Sequence, residues 1–258
     1  MNVPISLCII TKNEEARLEK CLESVKGWVD EIIVVDAMST DATIQLSEKF
    51  TDKIFKRAWT GFSDQRNFCL DNAKNEWVMF LDADERVTPA LRDRIIDIFS
   101  KGPDCALYKI RRQEHLVSRE INYGTWNPSY QDKLFNKTNV RFVGEVHEYP
   151  AVTGKIGYVE EKIVHQSFEN LESMFDKFNV YTTLDAQKLF KKGNRHSAGY
   201  MFFSGIAMFY KSYIRRKGFK DGIWGLFIAV IEGMYFLVRQ AKLYFLWESY
   251  DGNHRNKG

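Results

Sequence analysis

The segment Val78-Met79-Phe80-Leu81-Asp82-Ala83-Asp84-Glu85-Arg86 joins an apolar run of strand length to two carboxylates that stand two positions apart. Because successive side chains of an extended chain alternate between faces, we expect Asp82 and Asp84 on the same side. Hard oxygen ligands at the tip of a buried strand suit a divalent cation that also carries phosphate oxygens. The segment therefore predicts a metal site at the end of a buried strand.

The chain around this segment alternates apolar runs with helical periodicity. The pattern predicts, in order, strand 5–10, a helix ending near 25, strand 31–35, helix 42–50, helix 63–73, strand 77–81 and helix 89–100. Strands that alternate with helices imply a mainly parallel sheet covered on both faces. Beyond 104 we expect strands at 106–111 and 140–143 and a long helix from Leu171. The predicted fold class is α/β and Rossmann-like, with flanking helices and added C-terminal amphipathic helices.

Composition limits the class of protein. The 258 residues are 45% hydrophobic and 28% charged, which indicates a soluble or peripheral protein with enough apolar material for a large core. The four cysteines form no C-x-x-C pair, so we expect buried free thiols in a reducing compartment. The N-terminal apolar run lacks a basic flank and is too short for a signal peptide. We therefore expect a cytoplasmic protein, or one on the inner face of the cytoplasmic membrane.

Charge is distributed unevenly along the chain. Of 37 Lys/Arg and 34 Asp/Glu, residues 1–170 hold 23 and 27, so the excess of basic residues lies entirely in the C-terminal part. A basic appendage favours an anionic neighbour. We therefore divide the chain into an N-terminal α/β domain, 1–168, and a basic helical region, 169–258, expected at a membrane surface.

The last part of the chain alternates apolar and basic blocks. Residues 200–210 are apolar or small, 211–217 are strongly basic, and 223–238 are apolar apart from Glu232. The last block falls short of the ~20 apolar residues that span a bilayer, so we predict an in-plane pair of amphipathic helices. The alternative is packing on the catalytic domain or a dimer seam, which would make the protein a homo-oligomer. No nucleic-acid partner is expected, because the aromatic residues lie within aliphatic runs and not between basic residues.

Polar residues follow three of the predicted strands. In an open parallel sheet, ligands bind outside the carboxyl ends of the strands. The candidates in the first two loops are Thr11, Asn13, Glu14, Asp36, Ser39, Thr40 and Asp41. Carboxylates there can bind ribose hydroxyls or a base edge, although Asp41 could instead cap the following helix. Together with Asp82 and Asp84, these loops predict an enzyme that uses a sugar nucleotide.

Three stretches also carry a resemblance to a known family. They are Cys8-Ile9-Ile10-Thr11-Lys12-Asn13-Glu14-Glu15, Val34-Val35-Asp36-Ala37-Met38-Ser39-Thr40-Asp41-Ala42-Thr43 and Phe80-Leu81-Asp82-Ala83-Asp84-Glu85-Arg86. These strings resemble glycosyltransferase family two, and more narrowly its lipopolysaccharide core glycosyltransferases. Further matches are the stretch 61–67, the motif Val146-His147-Glu148 and the basic element 216–222. The resemblance covers nearly the whole chain.

The resemblance implies a GT-A fold and a nucleotide diphosphate bound through Mg²⁺ or Mn²⁺. By analogy, Asp84 is the main metal ligand and Asp82 lies nearer the ribose or sugar. The implied nucleotide-sugar-binding residues are Thr11, Asn13, Glu14, Asp36, Ser39, Asp41, Gln65, Arg66 and Asp82. Gln65 and Arg66 could equally belong to a helix surface.

Members of this family invert the anomeric carbon by direct displacement, which requires a general base for the acceptor hydroxyl. The candidates are Glu148, favoured because it is the acid of the family-like motif, and Glu145. His147, between them, is a third metal ligand, a diphosphate contact or a hydrogen-bonded structural histidine. On the acceptor side, Trp126 and Tyr130 could stack on a sugar or pack a lid. Relatives often have arginine where this chain has Lys133, and lysine cannot make the bidentate phosphate contact of arginine.

The sequence thus predicts a metal-dependent, inverting glycosyltransferase at the membrane surface. Its partners would be a nucleotide-diphosphate sugar donor and a lipid-linked glycan acceptor, with lipopolysaccharide core as the expected glycan. Alternative acceptors are a polypeptide and polyprenyl phosphate. A nucleotidyltransferase and a non-catalytic membrane scaffold are the rival classes. This chain lacks the glycine-rich, basic N-terminal loop that a nucleotidyltransferase would need to hold a nucleoside triphosphate. Its intact acids argue against a non-catalytic scaffold.

Overall fold

The computed structural model describes residues 2–117, 119–144, 149–168 and 170–255. Contacts between backbone positions divide the chain into two compact units. The first comprises Met1–Gln113 and Ser129–His165, and the second comprises Glu114–Pro128 and Gln166–Gly258. The strands that contain Gln113 and His165 each begin in the first unit and end in the second.

The first unit contains most of the strands. They are β1 (Val3–Thr11), β2 (Val29–Asp36), β3 (Ile54–Lys56), β4 (Trp77–Leu81), β5 (Glu85–Val87), β6 (Leu107–Leu116), β8 (Ser129–Asn136), β9 (Val140–Val143), β10 (Tyr149–Val152) and β11 (Ile156–Phe168). Its helices are α1 (Leu18–Glu23), α2 (Thr43–Ser47), α3 (Phe62–Asn72) and α4 (Pro89–Lys101). The predicted helix 42–50 is thus shorter than expected, and the helix that opens at Pro89 has nearly its predicted length.

The strand order of the main sheet is β3-β2-β1-β4-β8-β6-β11-β5. Strands β3, β2, β1 and β4 run parallel to one another, whereas β8 pairs antiparallel with both β4 and β6. The predicted α/β fold is confirmed. Apart from the short β5, which pairs antiparallel with β11, the antiparallel strands come from the part of the chain beyond 104, where the strand-helix alternation stops.

Burial explains why β1 and β4 occupy the centre of the sheet. All five residues of β4 are buried, and β1 is buried along nearly its whole length. One face packs against α1 and α4 through Leu22, Leu91 and Ile95, and the other holds a cluster around Phe80 and Phe135. Continuous apolar runs are typical of strands covered on both faces. The four cysteines are buried and unpaired, as the sequence predicted.

The second unit is mainly helical. It contains β7 (Arg119–Glu120), α5 (Leu171–Lys191), α6 (Ala198–Tyr210), a π-helical turn (Lys211–Arg215), a 3₁₀ turn (Gly218–Asp221) and α7 (Gly222–Arg255). Helices α6 and α7 are in close contact at Gly205 and Gly233. A Cβ atom on Gly205 would stand 2.9 Å from the Gly233 carbonyl oxygen, so glycine is required for this crossing.

Helix α7 corrects one sequence argument. The apolar block 223–238 alone predicts a helix too short to span a bilayer, but α7 continues past this block and is 34 residues long. By length and composition, it is the one described helix that could cross a membrane. The share of its most apolar window that is buried within the protein is 28%, so most of that window faces outward.

Candidate active site

Strand register brings three polar loops to one edge of the first unit. Thr11, the last residue of β1, pairs with Asp36, the last residue of β2. On the other side of β1, Ile9 pairs with Leu81, the last residue of β4. The loops after β1, β2 and β4 therefore begin side by side, as the parallel order predicted.

The buried carboxylate of Asp36 organises the loop after β2. One of its oxygens accepts a hydrogen bond from the Ser39 amide, 2.8 Å away, and the other accepts from the Ser39 hydroxyl. The Thr11 hydroxyl donates to the same carboxylate at 3.3 Å. Because Asp36 is fully buried, its carboxylate fixes Ser39 and Thr11 and does not itself form the surface of the loop.

The loops after β1 and β2 also bind each other. The Asn13 amide donates to the Ser39 hydroxyl at 2.8 Å, and the Asn13 side-chain oxygen accepts from the Thr40 amide at 2.8 Å. The Glu14 amide donates to the hydroxyl of Thr43 at 2.8 Å. Residues that the sequence placed in one nucleotide-binding group therefore form a single hydrogen-bonded surface.

Asp41 lies one residue before Ala42, the N-cap residue of α2, and so does not occupy the capping position that the sequence left open. Its carboxylate accepts from the Thr43 amide at 3.0 Å at the start of α2 and from the Glu15 amide at 3.2 Å. Desolvation acts to raise the pKa of Asp41, but the hydrogen bonds from Thr43 and Glu15 outweigh it and lower that pKa. The Asp41 side chain therefore joins the two loops and also binds the first residue of α2.

The acidic pair after β4 differs from its predicted geometry. Asp82 and Asp84 lie in a tight turn between β4 and β5, closed by the Glu85 amide donating to the Asp82 carbonyl at 2.9 Å. Extended alternation therefore does not apply. The Asp82 side chain is 54% exposed, whereas that of Asp84 is 15% exposed. The two carboxylates have different surroundings and are expected to differ in role.

Asp84 lies beside a histidine that the sequence reasoning missed. The Nε2 atom of His165 is 3.4 Å from an Asp84 carboxylate oxygen. Strand β11 places it there, because His165 pairs with Glu85 across the antiparallel β11/β5 ladder. The only sequence signal was a histidine after the apolar pair Ile163-Val164, which does not reveal its neighbour.

Lys133 lies at the acidic turn and not on a separate acceptor surface. Its ammonium group is 3.2 Å from an Asp82 oxygen and also donates to Glu85. Strand β8 brings it there, since the adjacent Leu134 pairs with Met79 of β4. Lys133 and Glu85 are both buried, and the sequence reasoning did not include Glu85 in the site.

The charges in this cluster perturb one another. The Lys133 ammonium lowers the pKa of Asp82 to about 2. Burial acts to lower the pKa of Lys133, but the charges of Asp82 and Glu85 outweigh it and raise that pKa. Burial raises the pKa of Glu85, and its Oε1 atom has no hydrogen-bond partner among the described residues. Asp82 and Lys133 are therefore an ionised pair, and burial favours the protonated form of Glu85 more than that of Asp82.

Gln65 and Arg66 occupy α3 in different ways. Gln65 is fully buried and donates to the Ala58 carbonyl at 2.9 Å, so it holds the chain that leads into the helix. The Arg66 guanidinium lies over the rings of Phe80 and Phe142, 5.5 and 5.1 Å from their centroids. Its charge also contributes to the lowered pKa of Asp82. Arg66 therefore belongs electrostatically to the acidic turn.

The remaining predicted residues divide between the units. In the first, the Tyr130 hydroxyl donates to Glu160 at 2.5 Å, and the Tyr130 ring meets that of Tyr158 edge-on. In the second, the Trp126 ring is 6.1 Å from that of Phe168. Glu145, His147 and Glu148 lie outside the described residues.

The described residues contain no group of three or more His, Cys, Asp or Glu side chains arranged to hold a metal. Asp82 and Asp84 are nevertheless the kind of ligand that Mg²⁺ and Mn²⁺ prefer. The exposed Asp82 carboxylate is accessible to an ion and to the phosphate oxygens that would complete its coordination.

Comparison with known proteins identifies the family. The profile described as Glycosyl transferase family 2 matches residues 6–154, which include β1, β2 and the acidic turn. An uncharacterized glycosyltransferase of Rickettsia felis is 32% identical over 253 residues, covering 93% of this chain and 89% of that protein. The chain belongs to glycosyltransferase family 2 and is a transferase, so the predicted family and enzyme class are confirmed.

Two further similarities are more distant. The lipopolysaccharide core biosynthesis glycosyltransferase LpsC of Rhizobium meliloti is 27% identical, over 94% of this chain and 92% of its own length. A solved structure of glucosyl-3-phosphoglycerate synthase from Mycobacterium tuberculosis, in complex with Mg²⁺ and uridine diphosphate, is 17% identical. It covers 76% of this chain and 81% of its own, with a TM-score of 0.47.

Proposed function

We propose that this glycosyltransferase is metal-dependent and inverting, and that it transfers a sugar from a nucleotide-diphosphate donor to a lipid-linked glycan, as in lipopolysaccharide core assembly. The observation that carries the proposal is the joined surface of the loops after β1 and β2 beside the acidic turn after β4. In this fold, ligands bind at that edge of the sheet. Similarity to LpsC supports the choice of acceptor.

Residues of the joined loops would hold the nucleoside. Asn13, Glu14 and Ser39 form its accessible part, and Asp36 acts from beneath by fixing Ser39. Thr11 would contribute through the same carboxylate. This division of roles explains why a buried acid and an exposed amide both belong to one site.

Asp84 and Asp82 would hold Mg²⁺ or Mn²⁺, with His165 fixing the Asp84 carboxylate. When bound, the cation would neutralise negative charge on the departing diphosphate. Lys133 would offset part of the repulsion between the acids before the donor arrives. Arg66 adds positive charge to the same region.

The acceptor hydroxyl must lose a proton as it attacks. Glu148 is the proposed base and Glu145 the second candidate. The variants Glu148→Gln and Glu145→Gln separate them, because loss of the base should abolish transfer while donor binding persists. If Glu145→Gln alone is inactive, Glu145 is the base.

The second unit would hold the enzyme at the inner face of the cytoplasmic membrane. Exposed apolar side chains on α6 and α7 include Phe202, Phe203, Ile223 and Phe245. Exposed basic residues lie between these helices, namely Lys211, Arg215, Arg216, Lys217 and Lys220. This combination suits an anionic bilayer surface. The domain division at 168/169 is part of the same proposal.

Two experiments test these proposals. Melting temperature should rise with a nucleotide-diphosphate sugar only when Mn²⁺ or Mg²⁺ is also present, and nucleoside diphosphate release should require a lipid-linked acceptor. Stimulation by a polypeptide or by polyprenyl phosphate in its place would reassign the acceptor. The protein should also sediment with vesicles containing phosphatidylglycerol and be released at alkaline pH. Resistance to alkaline extraction would instead indicate that α7 spans the bilayer.

A further inference from the structure

The second unit contains a cavity of about 510 Å³ whose walls come from residues 195–201, at and just before the start of α6, and from residues 240–251 of α7. This volume lies within the range of small-molecule sites. No step of the proposed transfer uses it. Polar side chains and aromatic rings both line it, so it differs from the smaller and almost wholly apolar cavity beside α5.

Gln240 lines this cavity, and its buried side-chain amide lacks one hydrogen-bond partner among the described residues. It is 2% exposed, and its side-chain oxygen lies 2.7 Å from Nδ1 of His196. Its Nε2 atom has no hydrogen-bond partner in the part of the chain that the structure describes. If the amide were turned over, the oxygen would be left in the same position, so one amide atom lacks a partner in either assignment. A buried polar atom of this kind favours a ligand that completes it.

The charges of the cavity argue against an anionic ligand. Both terminal nitrogens of Arg195 are committed to the Asp251 carboxylate, at 2.8 and 2.9 Å. The same guanidinium lies 3.9 Å from the ring centroid of Trp247. Glu248 adds a second carboxylate to the wall. Because the arginine is already neutralised, a phosphate or carboxylate would meet an excess of negative charge.

The remaining chemistry fits a neutral polyol. A hydroxyl both donates and accepts, so it can serve the Gln240 amide and the Glu248 carboxylate alike. The C–H face of a sugar ring can pack against Met201 and Tyr244, which also line the cavity. A hydrocarbon chain would cover the apolar walls but leave the buried amide without a partner.

We propose that this cavity is a second carbohydrate site, which binds a neutral sugar away from the acidic turn. Its assignment to the acceptor glycan rests on the proposed function, whereas sugar binding itself does not. The cavity would then hold a part of the glycan that does not react.

Saturation-transfer NMR on the full chain tests the proposal, with the methyl glycosides of glucose, galactose, mannose and heptose as probes and no nucleotide present. Saturation should reach at least one glycoside, and ³¹P spectra should show no binding of inorganic phosphate. Binding of phosphate with no glycoside bound, or binding of neither, would overturn the proposal. Because no donor is used, the result is independent of whether transfer occurs.

A matched pair of variants locates the binding. Gln240→Leu removes the buried amide and should weaken binding of the glycoside about threefold to tenfold, which is the contribution of one neutral hydrogen bond. Gln187→Leu makes the same change at an exposed position of α5 and should leave affinity unchanged. If Gln240→Leu does not fold, Tyr244→Ala, at a 46% exposed position, should weaken binding about threefold because it removes the ring that packs against the sugar. Unchanged affinity in the folded cavity variants, or equal loss in Gln187→Leu, would contradict the assignment.

Discussion

The acidic turn of the first unit and the loop 121–127 of the second unit are both held by carboxylates, but in opposite ways. At the acidic turn, Asp82 and Glu85 share the buried ammonium of Lys133, so each carboxylate lies beside a group of opposite charge. In the second unit, the Asp221 carboxylate accepts hydrogen bonds from the backbone amides of Asn122 and Tyr123, at 3.0 and 2.8 Å. The first arrangement leaves Asp82 accessible for chemistry, whereas the second uses its carboxylate for structure alone. The difference separates a cluster whose residues should affect both catalysis and stability from a carboxylate whose loss should affect stability alone.

The largest expected effect is on catalysis at the acidic turn. Asp84→Asn should lower turnover about a thousandfold, equivalent to about 4 kcal/mol, because a neutral amide binds the cation poorly. The rate at which nucleoside diphosphate is released measures this turnover. The matched control is Asp93→Asn, whose side chain on α4 is 65% exposed and should tolerate the change. Wild-type turnover in Asp84→Asn would refute the metal assignment.

The next effect is on stability in the same cluster. Lys133→Met should lower the free energy of unfolding by about 3 kcal/mol at neutral pH, because Glu85 is left buried without its counter-charge. Urea unfolding measures it. Lys101→Met, at a 71% exposed lysine paired with Asp97, should change stability by less than about 1 kcal/mol.

The pH dependence of Lys133→Met sharpens this test. Burial raises the pKa of Glu85, so the native variant should retain a proton that the unfolded chain has released. Its stability should therefore fall as pH rises above the ordinary glutamate pKa and recover toward acid. The double variant Lys133→Met/Glu85→Gln should lose this dependence. A penalty equal at all pH values would exclude an unpaired charge as its cause.

A smaller effect is expected in the second unit. Asp221→Ala removes the acceptor of two amide hydrogen bonds and should cost about 2 kcal/mol of unfolding free energy. Hydrogen exchange at the amides of Asn122 and Tyr123 should also accelerate. Asp176→Ala, at an exposed position of α5, provides the control. Slow exchange in both variants would mean that the carboxylate does not hold the loop.

The smallest effect concerns Asp41, which combines features of both regions. Asp41→Ala should cost about 1 kcal/mol through loss of the hydrogen bond from the Thr43 amide. If the side chain only joins the loops, the donor dissociation constant should change less than threefold. A larger change would add Asp41 to the nucleoside pocket. Asp52→Ala, exposed before β3, is the matched control.

The sequence predicted the elements that repeat a local pattern. Buried runs fixed β1 and β4, and polar residues at their ends identified the edge where Asp36 and Asp82 lie. Contacts that depend on later strands were missed, because β8 and β11 bring Lys133 and His165 to the turn from far along the chain. The periodicity of hydrophobic residues within a segment carries no information about which distant strand that segment pairs with. The turn geometry of Asp84 was also missed, since alternation applies only while a strand continues.

The glycine crossing of α6 and α7 fixes the rotational phase of the long helix. Gly233 stands between Glu232, which accepts a hydrogen bond from Thr125, and Gln240, which meets His196. One inserted residue after Gly233 would turn everything beyond it by about 100°. Helix α7 could then keep its contact at Gly205 and Gly233 only if Gln240 moved away from His196. This segment should therefore tolerate substitutions on its outward side far more readily than any change of length.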